Sequence, residues 1–187
     1  MYYSECNGDA GYYTYGEGSK PLSSLPYVGY IYLRGVVASG QCGDDVYWDL
    51  YEDKVLEIHG SGAMWEYDDR DAPWKEYSWS EEYEAESHDG QINIERVIID
   101  EGITSIGMSA FSGMYMTSVS IPNSVTKLGT RAFLGCEELR EIGLPDGITI
   151  IPESAFDECI SLEKVKLPNE LRIIERAAFW KTRLRVW

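Results

Sequence analysis

The chain has 187 residues, with 16 basic and 32 acidic side chains and a formal net charge of −16. Such a charge repels a phosphate backbone and argues against nucleic acid as a partner. No apolar run approaches the ~20 residues of a membrane-spanning helix, and one domain plus a terminal extension is the expectation for this length.

The charge is uneven. Residues 1–96 carry 20 acidic and 6 basic side chains, whereas residues 163–187 carry 3 and 7. An acidic front therefore precedes a basic tail. The opening stretch MYYSECNGDAGYYTYGEG has neither a basic nor an apolar signal region, so no secretory signal is visible.

Residues 1–38 read as an aromatic, partly ordered arm. Residues 1–83 hold 13 of the 14 tyrosines, together with Trp48, Trp65, Trp74 and Trp79. Leu25 to Val37 has the composition of a strand, and residues 1–24 are expected to be loosely ordered. Cys6 and Cys42 come within reach of a disulfide if the arm folds back. No C-x-x-C spacing points to zinc.

Residues 39–65 read as a β-hairpin. Val46, Trp48 and Leu50 alternate with Tyr47, Asp49 and Tyr51, and Leu56 and Ile58 alternate with Val55, Glu57 and His59. Glu52-Asp53 makes the turn, and Gly60-Ser61-Gly62 is expected to end the second strand. The apolar face would cap whatever follows. Trp48, Trp65 and Trp74 are assigned to that cap core. The alternative makes Trp65, Trp74 and Trp79 an exposed aromatic platform, since Trp pairs a large apolar face with a polar tip.

Residues 66–93 read as an acidic surface loop. Ten of the 26 residues from 66 to 91 are acidic. Asp68, Asp69 and Asp71 cluster, but the glycine and distal glutamate of an EF-hand are not at the right offsets, so no calcium site is assigned.

Residues 94–187 repeat themselves. Pro122, Pro145 and Pro168 lie 23 apart, and Phe111, Phe133, Phe156 and Phe179 lie 22, 23 and 23 apart. Four units follow, of which the first is one residue short and has Asp100 where the others have Pro. Ile142 and Leu144 alternate around Gly143, which is strand periodicity. The proline that follows lacks a backbone donor and should end that strand. The Ala-Phe step falls in a helical or irregular turn. One unit cannot bury its apolar side alone, whereas stacked units can, with equivalent residues forming ladders. The phenylalanines are then core. Cys136 and Cys159 occupy equivalent positions and are expected side by side as free thiols. Unit four leaves the pattern at Lys181-Thr182 and ends with Arg183, Arg185 and Trp187.

Leu139-x-x-Ile142-x-Leu144 fits the strand half of a leucine-rich repeat. The form IPNSVTKLGTRAFLGC, in register with its neighbours, resembles the BspA-like leucine-rich repeat family of bacterial surface proteins. The stretch SGQCGDDVYWDLYEDKVLEIHGSGAMWEY, followed by APW, resembles the segment that often precedes such repeats. The resemblance implies a leucine-rich-repeat solenoid of four ~23-residue units with parallel stacked strands. It also implies a secreted or surface location and adhesion to matrix proteins or other cells.

No catalytic constellation appears. There are two histidines, His59 and His88, no G-x-S-x-G elbow and no phosphate-binding glycine loop. The reading is a non-enzymatic interaction module with no cofactor, binding a protein partner. Its binding face would be the outward strand positions: Glu95, Arg96 and Ile98; Thr117, Ser118 and Ser120; Arg140, Glu141 and Gly143; Glu163, Lys164 and Lys166. The alternative is a glycan-binding or spacer segment of a larger surface protein that uses the N-terminal aromatics. A monomer is expected at physiological salt, because exposed charge pairs between front and tail are weak and screened.

Overall fold

A phenyl ring can be buried from all sides only if something flat lies above and below it. In the computed structural model Phe111, Phe133 and Phe156 are fully buried. Their rings and that of Phe179 stack at 5.4, 5.3 and 5.2 Å between centroids, inclined by 19°, 4° and 6°. Residues 12–14, 19–21, 34–68, 71–78 and 92–184 are described. Chain contacts separate Met1–Arg34 from Gly35–Trp187. In the first unit β1 (Tyr12–Thr14) pairs antiparallel with β2 (Ser19–Pro21). The rest of the predicted arm, Cys6 included, lies outside the described residues.

Each phenylalanine sits in a turn that follows a pair of short strands. The pairs are β6 (Arg96–Ile99) and β7 (Ile103–Ile106), β8 (Ser118–Ser120) and β9 (Lys127–Leu128), β10 (Glu141–Gly143) and β11 (Ile150–Ile151), and β12 (Lys164–Lys166) and β13 (Ile173–Ile174). Equivalent strands pair in parallel, as Arg96↔Ser118 and Glu141↔Lys164 illustrate. The Ala-Phe step is a hydrogen-bonded turn rather than a helix. Ala110, Ala132, Ala155 and Ala178 each donate to the carbonyl three residues earlier.

The turn side is joined at every junction. Phe111 N–H donates to Ala132 O, Phe133 N–H to Ala155 O and Phe156 N–H to Ala178 O, at 2.8–2.9 Å. These bonds need a left-handed residue two positions before each ring: Ser109, Arg131, Ser154 and Ala177 all have φ between 51° and 58°. A second left-handed position falls at Gly113, Gly135, Glu158 and Lys181. Lys181 was read as the departure from the repeat, yet its φ of 55° keeps the backbone form that Gly135 adopts at 66°. The side chain departs and the backbone does not.

The strand side is less even. Strands β6 and β8 belong to one sheet, with β7 and β9 paired alongside, while β10–β12 and β11–β13 form separate two-stranded sheets. No ladder joins β8 to β10 or β9 to β11. The stack is thus split on its strand side between residues 118–128 and 141–151, although the turn side there stays bonded.

The predicted hairpin is a three-stranded antiparallel meander of β3 (Val36–Gln41), β4 (Gly43–Tyr51) and β5 (Val55–Met64). Gly60-Ser61-Gly62 does not end β5. Gly60 and Gly62 take φ of 106° and 101°, which lets the strand bend and continue. As a result Val55–Ile58 pairs with β6 and Gly62–Ala63 with β7, so one strand caps both strands of the first unit. Val55, read as outward, is buried where β5 pairs with β6. Asp100 replaces proline because its N–H donates to Ile58 O at 2.9 Å, a bond to the cap that proline could not make.

Residues 66–78 are more than an acidic loop. Tyr67, Ala72 and Trp74 are buried, and a turn of 3-10 helix spans Lys75–Tyr77. Trp74 stacks on Phe111 at 5.6 Å and 25°, extending the ring column by one member. Its indole N–H donates to Ala110 O at 3.0 Å, which satisfies the buried donor.

Cys42, Cys136 and Cys159 are buried free thiols. Cys42 is enclosed by the cap core, and Cys6, its expected partner, lies outside the described residues. Cys136 Sγ donates to Phe111 O and Cys159 Sγ to Phe133 O, both at 3.1 Å. Each thiol thus bonds one unit back, and the two point the same way. Burial raises the Cys136 thiol well above its usual range and pushes Cys42 up to about 12.

Three outcomes follow from this packing. Phe133→Ala should cost ~3–5 kcal/mol, because the ring loses partners on both faces, whereas Ser120→Ala on the exposed face should cost less than ~0.5 kcal/mol. Equal urea midpoints for the two variants would invert the assignment of inside and outside. Gly107→Ala should cost ~1–3 kcal/mol, since a Cβ there would lie 1.8 Å from Trp65 O and force a backbone shift; an unchanged thermal melt would refute the close approach. Cys136 and Cys159 should be inert to thiol reagents at pH 8 in the native protein and react as free thiols after denaturation. Because the folded Cys42 thiol titrates near 12 and an unfolded one near ~8.5, stability should be full below about pH 8.5 and fall as pH rises toward 12. A Cys136–Cys159 cross-link found by mass spectrometry, or a midpoint that rises across that window, would contradict this.

Candidate functional site

Outward strand positions arise from the two-residue period of a strand whose other face is buried. In the third unit Leu139, Ile142 and Leu144 are buried, so Arg140, Glu141 and Gly143 face solvent. The same holds for Thr117, Ser118 and Ser120, for Glu163, Lys164 and Lys166, and for Glu95 and Arg96. Ile98 is half-buried rather than exposed, because β6 is flanked on both sides by β5 and β8.

Four of the seven charged candidates on this face have an ion-pair partner, while Arg140, Glu163 and Lys166 have none among the described residues. Arg96 lies 3.8 Å from Asp53, Lys54 pairs with Glu95, and Lys164 lies 3.7 Å from Glu141. Exposed pairs of this kind contribute ~0–1 kcal/mol each. Lys166 has no such partner among the described residues. It lies one strand beyond the split, level with Gly143 in the pairing of β10 and β12.

A cleft of about 340 Å³ opens at the split. Val119, Ser120, Ile121 and Asn123 line one side, Gly143, Leu144 and Pro145 the other, with Lys166 beyond. Val119 and Ile121 are only half-buried, whereas their counterparts Ile142 and Leu144 in the next unit are buried. Both pairs border the junction that lacks a ladder. Three positions read as binding candidates, Ser120, Gly143 and Lys166, meet in this cleft. The repeat pattern alone gave no signal for Asn123.

The aromatic platform is not assembled. Trp74 is fully buried in the ring column, so it cannot present a face to a ligand. Trp65, also assigned to the cap core, is instead 43% exposed. Its backbone carbonyl sits against Gly107, which turns the indole outward beside Asp44, 3.4 Å from Nε1. Trp79 lies outside the described residues, as do Asp69 and His88 of the acidic segment. His59 is half-buried, stacks on Tyr47 at 6.0 Å and lies 3.2 Å from Asp49. Among the described residues, no three His, Cys, Asp or Glu side chains converge to hold a metal, and no helix is long and apolar enough to cross a membrane.

Similarity to solved structures covers about four fifths of the chain. A leucine-rich repeat protein from Eubacterium ventriosum is 23% identical over 79% of this chain and 44% of its own, with a TM-score of 0.54. A leucine rich cell surface protein from Faecalibacterium prausnitzii is 18% identical, covering 79% and 47%, with a TM-score of 0.43. The pneumococcal vaccine antigen PcpA is 17% identical, covering 79% and 42%, with a TM-score of 0.48. The first of these supports a leucine-rich-repeat type of fold. The chain spans less than half the length of each of these three structures. No curated protein sequence matches it. The family model for the BspA type leucine rich repeat region matches residues 82–186 with six copies, where the phenylalanine period marks four units. That match covers more than half of the chain, and the chain belongs to the BspA-type leucine-rich repeat family.

Proposed function

We propose that the chain is a non-catalytic protein-interaction module of a bacterial surface or secreted protein, binding through the outward side of its strands. The observation that carries this reading is the recurrence of the same solvent-facing positions from strand to strand, eleven of the twelve candidates being exposed. A side chain that is neither core nor matched in charge is free to contact something else. Stacked units, read here as a four-unit solenoid, present such positions as one extended surface. Family membership supports the class. In this reading residues 39–65 cap the stack, residues 66–93 connect cap to repeats and residues 94–187 carry the binding face. The module is a monomer at physiological salt.

A glycan-binding or spacer role keeps one observation in its favour, the exposed indole of Trp65. It has lost Trp74, which is needed for folding.

Binding to a panel of immobilised extracellular-matrix proteins separates the two. The double variant Ser118→Arg, Ser120→Arg should weaken binding at least tenfold, while Arg131→Glu on the turn side and Trp65→Ala should each stay within about twofold (tenfold being ~1.4 kcal/mol). Loss with Trp65→Ala and none with the strand-face variant would replace the first reading by the second.

A further inference from the structure

Among the junctions between strand pairs, the one between β8 and β10 lacks a ladder. A missing ladder leaves two strand edges facing one another without the backbone bonds that equivalent edges exchange elsewhere. Unpaired edges are templates for an added extended segment. The apolar floor is correspondingly underfilled: Val119 and Ile121 stay half-buried although they sit in the middle of the stack. The rim is small, since Ser120 and Gly143 face each other across it and a Cβ added at Gly143 would meet nothing within 4 Å.

The chemistry of the rim is one-sided. Its polar side chains are Ser120, Asn123 and Lys166, with no carboxylate among the lining residues. None of the three has a side-chain partner among the described residues. A hydroxyl, an amide and an unmatched ammonium suit an anion with two acceptor oxygens. In a chain of net charge −16, the Lys166 ammonium has no carboxylate partner among the described residues and is the one cation lining the cleft. The volume, about 340 Å³, lies at the lower end of the ~300–1,000 Å³ found for ligand pockets. It therefore has room for one or two side chains and not for a larger molecule.

We propose that the cleft between β8 and β10 receives a carboxylate side chain of an extended acidic segment in a protein partner. Lys166 is its counter-charge, Ser120 and Asn123 its donors, and the half-buried Val119 and Ile121 take the neighbouring apolar side chain. An extended backbone presents successive side chains to opposite sides, which fits alternation of an acidic and an apolar residue along the segment. The proposal rests on the strand-face reading and adds the locus and the chemistry to it.

The test is an NMR titration of the whole chain, isotope-labelled, with a hexapeptide of alternating valine and glutamate and with its valine–glutamine counterpart, at about 0.15 M salt. Amide shifts are expected to cluster at Ser120, Asn123 and Gly143, with the glutamate peptide bound about tenfold more tightly. Lys166→Gln should remove that difference and leave the glutamine peptide unaffected. Gly143→Val should weaken both peptides without changing the melting temperature, since its side chain enters open space. Equal binding of the two peptides, an unchanged difference in Lys166→Gln, or no shift at millimolar peptide would overturn the proposal. Shifts elsewhere on the strand face would overturn it while leaving the strand-face reading in place; shifts confined to the turn side would overturn both. Movement of the same amides on raising protein concentration alone would assign the cleft to a second copy and overturn it too.

Discussion

The structure depends on one column of aromatic rings. Trp74, Phe111, Phe133, Phe156 and Phe179 stack in order, with centroid spacings falling from 5.6 to 5.2 Å. Each interior ring is buried only because its neighbours in the column exist, so no unit can form its core alone. The column also fixes what lies next to it. Alanine before each phenylalanine accepts the bond from the preceding ring residue's N–H, and Met114, Cys136 and Cys159, three residues after the first three phenylalanines, fill the remaining space. A larger residue than alanine would separate successive turns, and a residue unable to adopt positive φ two positions before the ring would strain the turn that carries the bond.

What the sequence made legible was whatever repeats. The phenylalanine period gave the ring column, the alternation around Gly143 gave the buried and exposed sides of the strand, and the equivalence of Cys136 and Cys159 gave two parallel thiols. What it hid was whatever occurs once. Trp74 precedes Phe111 by 37 residues, outside any 22- or 23-residue spacing, so its place as the first ring of the column carried no periodic signal. Composition placed it in the cap core, with a surface platform as the alternative, and said nothing of the column. Gly60 and Gly62 have the composition of a strand end, but a strand that must pair with two partners in turn needs a bend, and glycine at positive φ supplies it. Asp100 was visible as an exception to the proline rule, while its cause, a donor aimed at the cap, was not.

The split between β8 and β10 was illegible for a different reason. Residues 119–141 and 142–164 match almost position by position, and side-chain pattern specifies which face is buried rather than whether two backbones lie close enough to bond. Eleven of the twelve candidate positions are exposed and Ile98 is half-buried, and the pattern is silent on which of them converge. Ser120, Gly143 and Lys166 come from three successive strands. Only the pairing register brings them to one place, and only the missing ladder gives that place depth.

The two sides of the stack thus carry different work. On the turn side, a left-handed residue in each unit points an N–H at the next, from Ser109 to Thr130 O, from Arg131 to Glu153 O and from Ser154 to Arg176 O, at 3.1 Å in all three cases. Together with the ring column these bonds join every junction, the split one included. Continuity of the stack therefore does not require an unbroken ladder on the strand side. A surface relieved of that requirement can lose pairing locally and expose half-buried apolar residues beside small polar ones. It can also keep a cation unmatched, at little cost to the core. Those are the features a binding face needs, and here they lie on the side that is not needed to hold the units together.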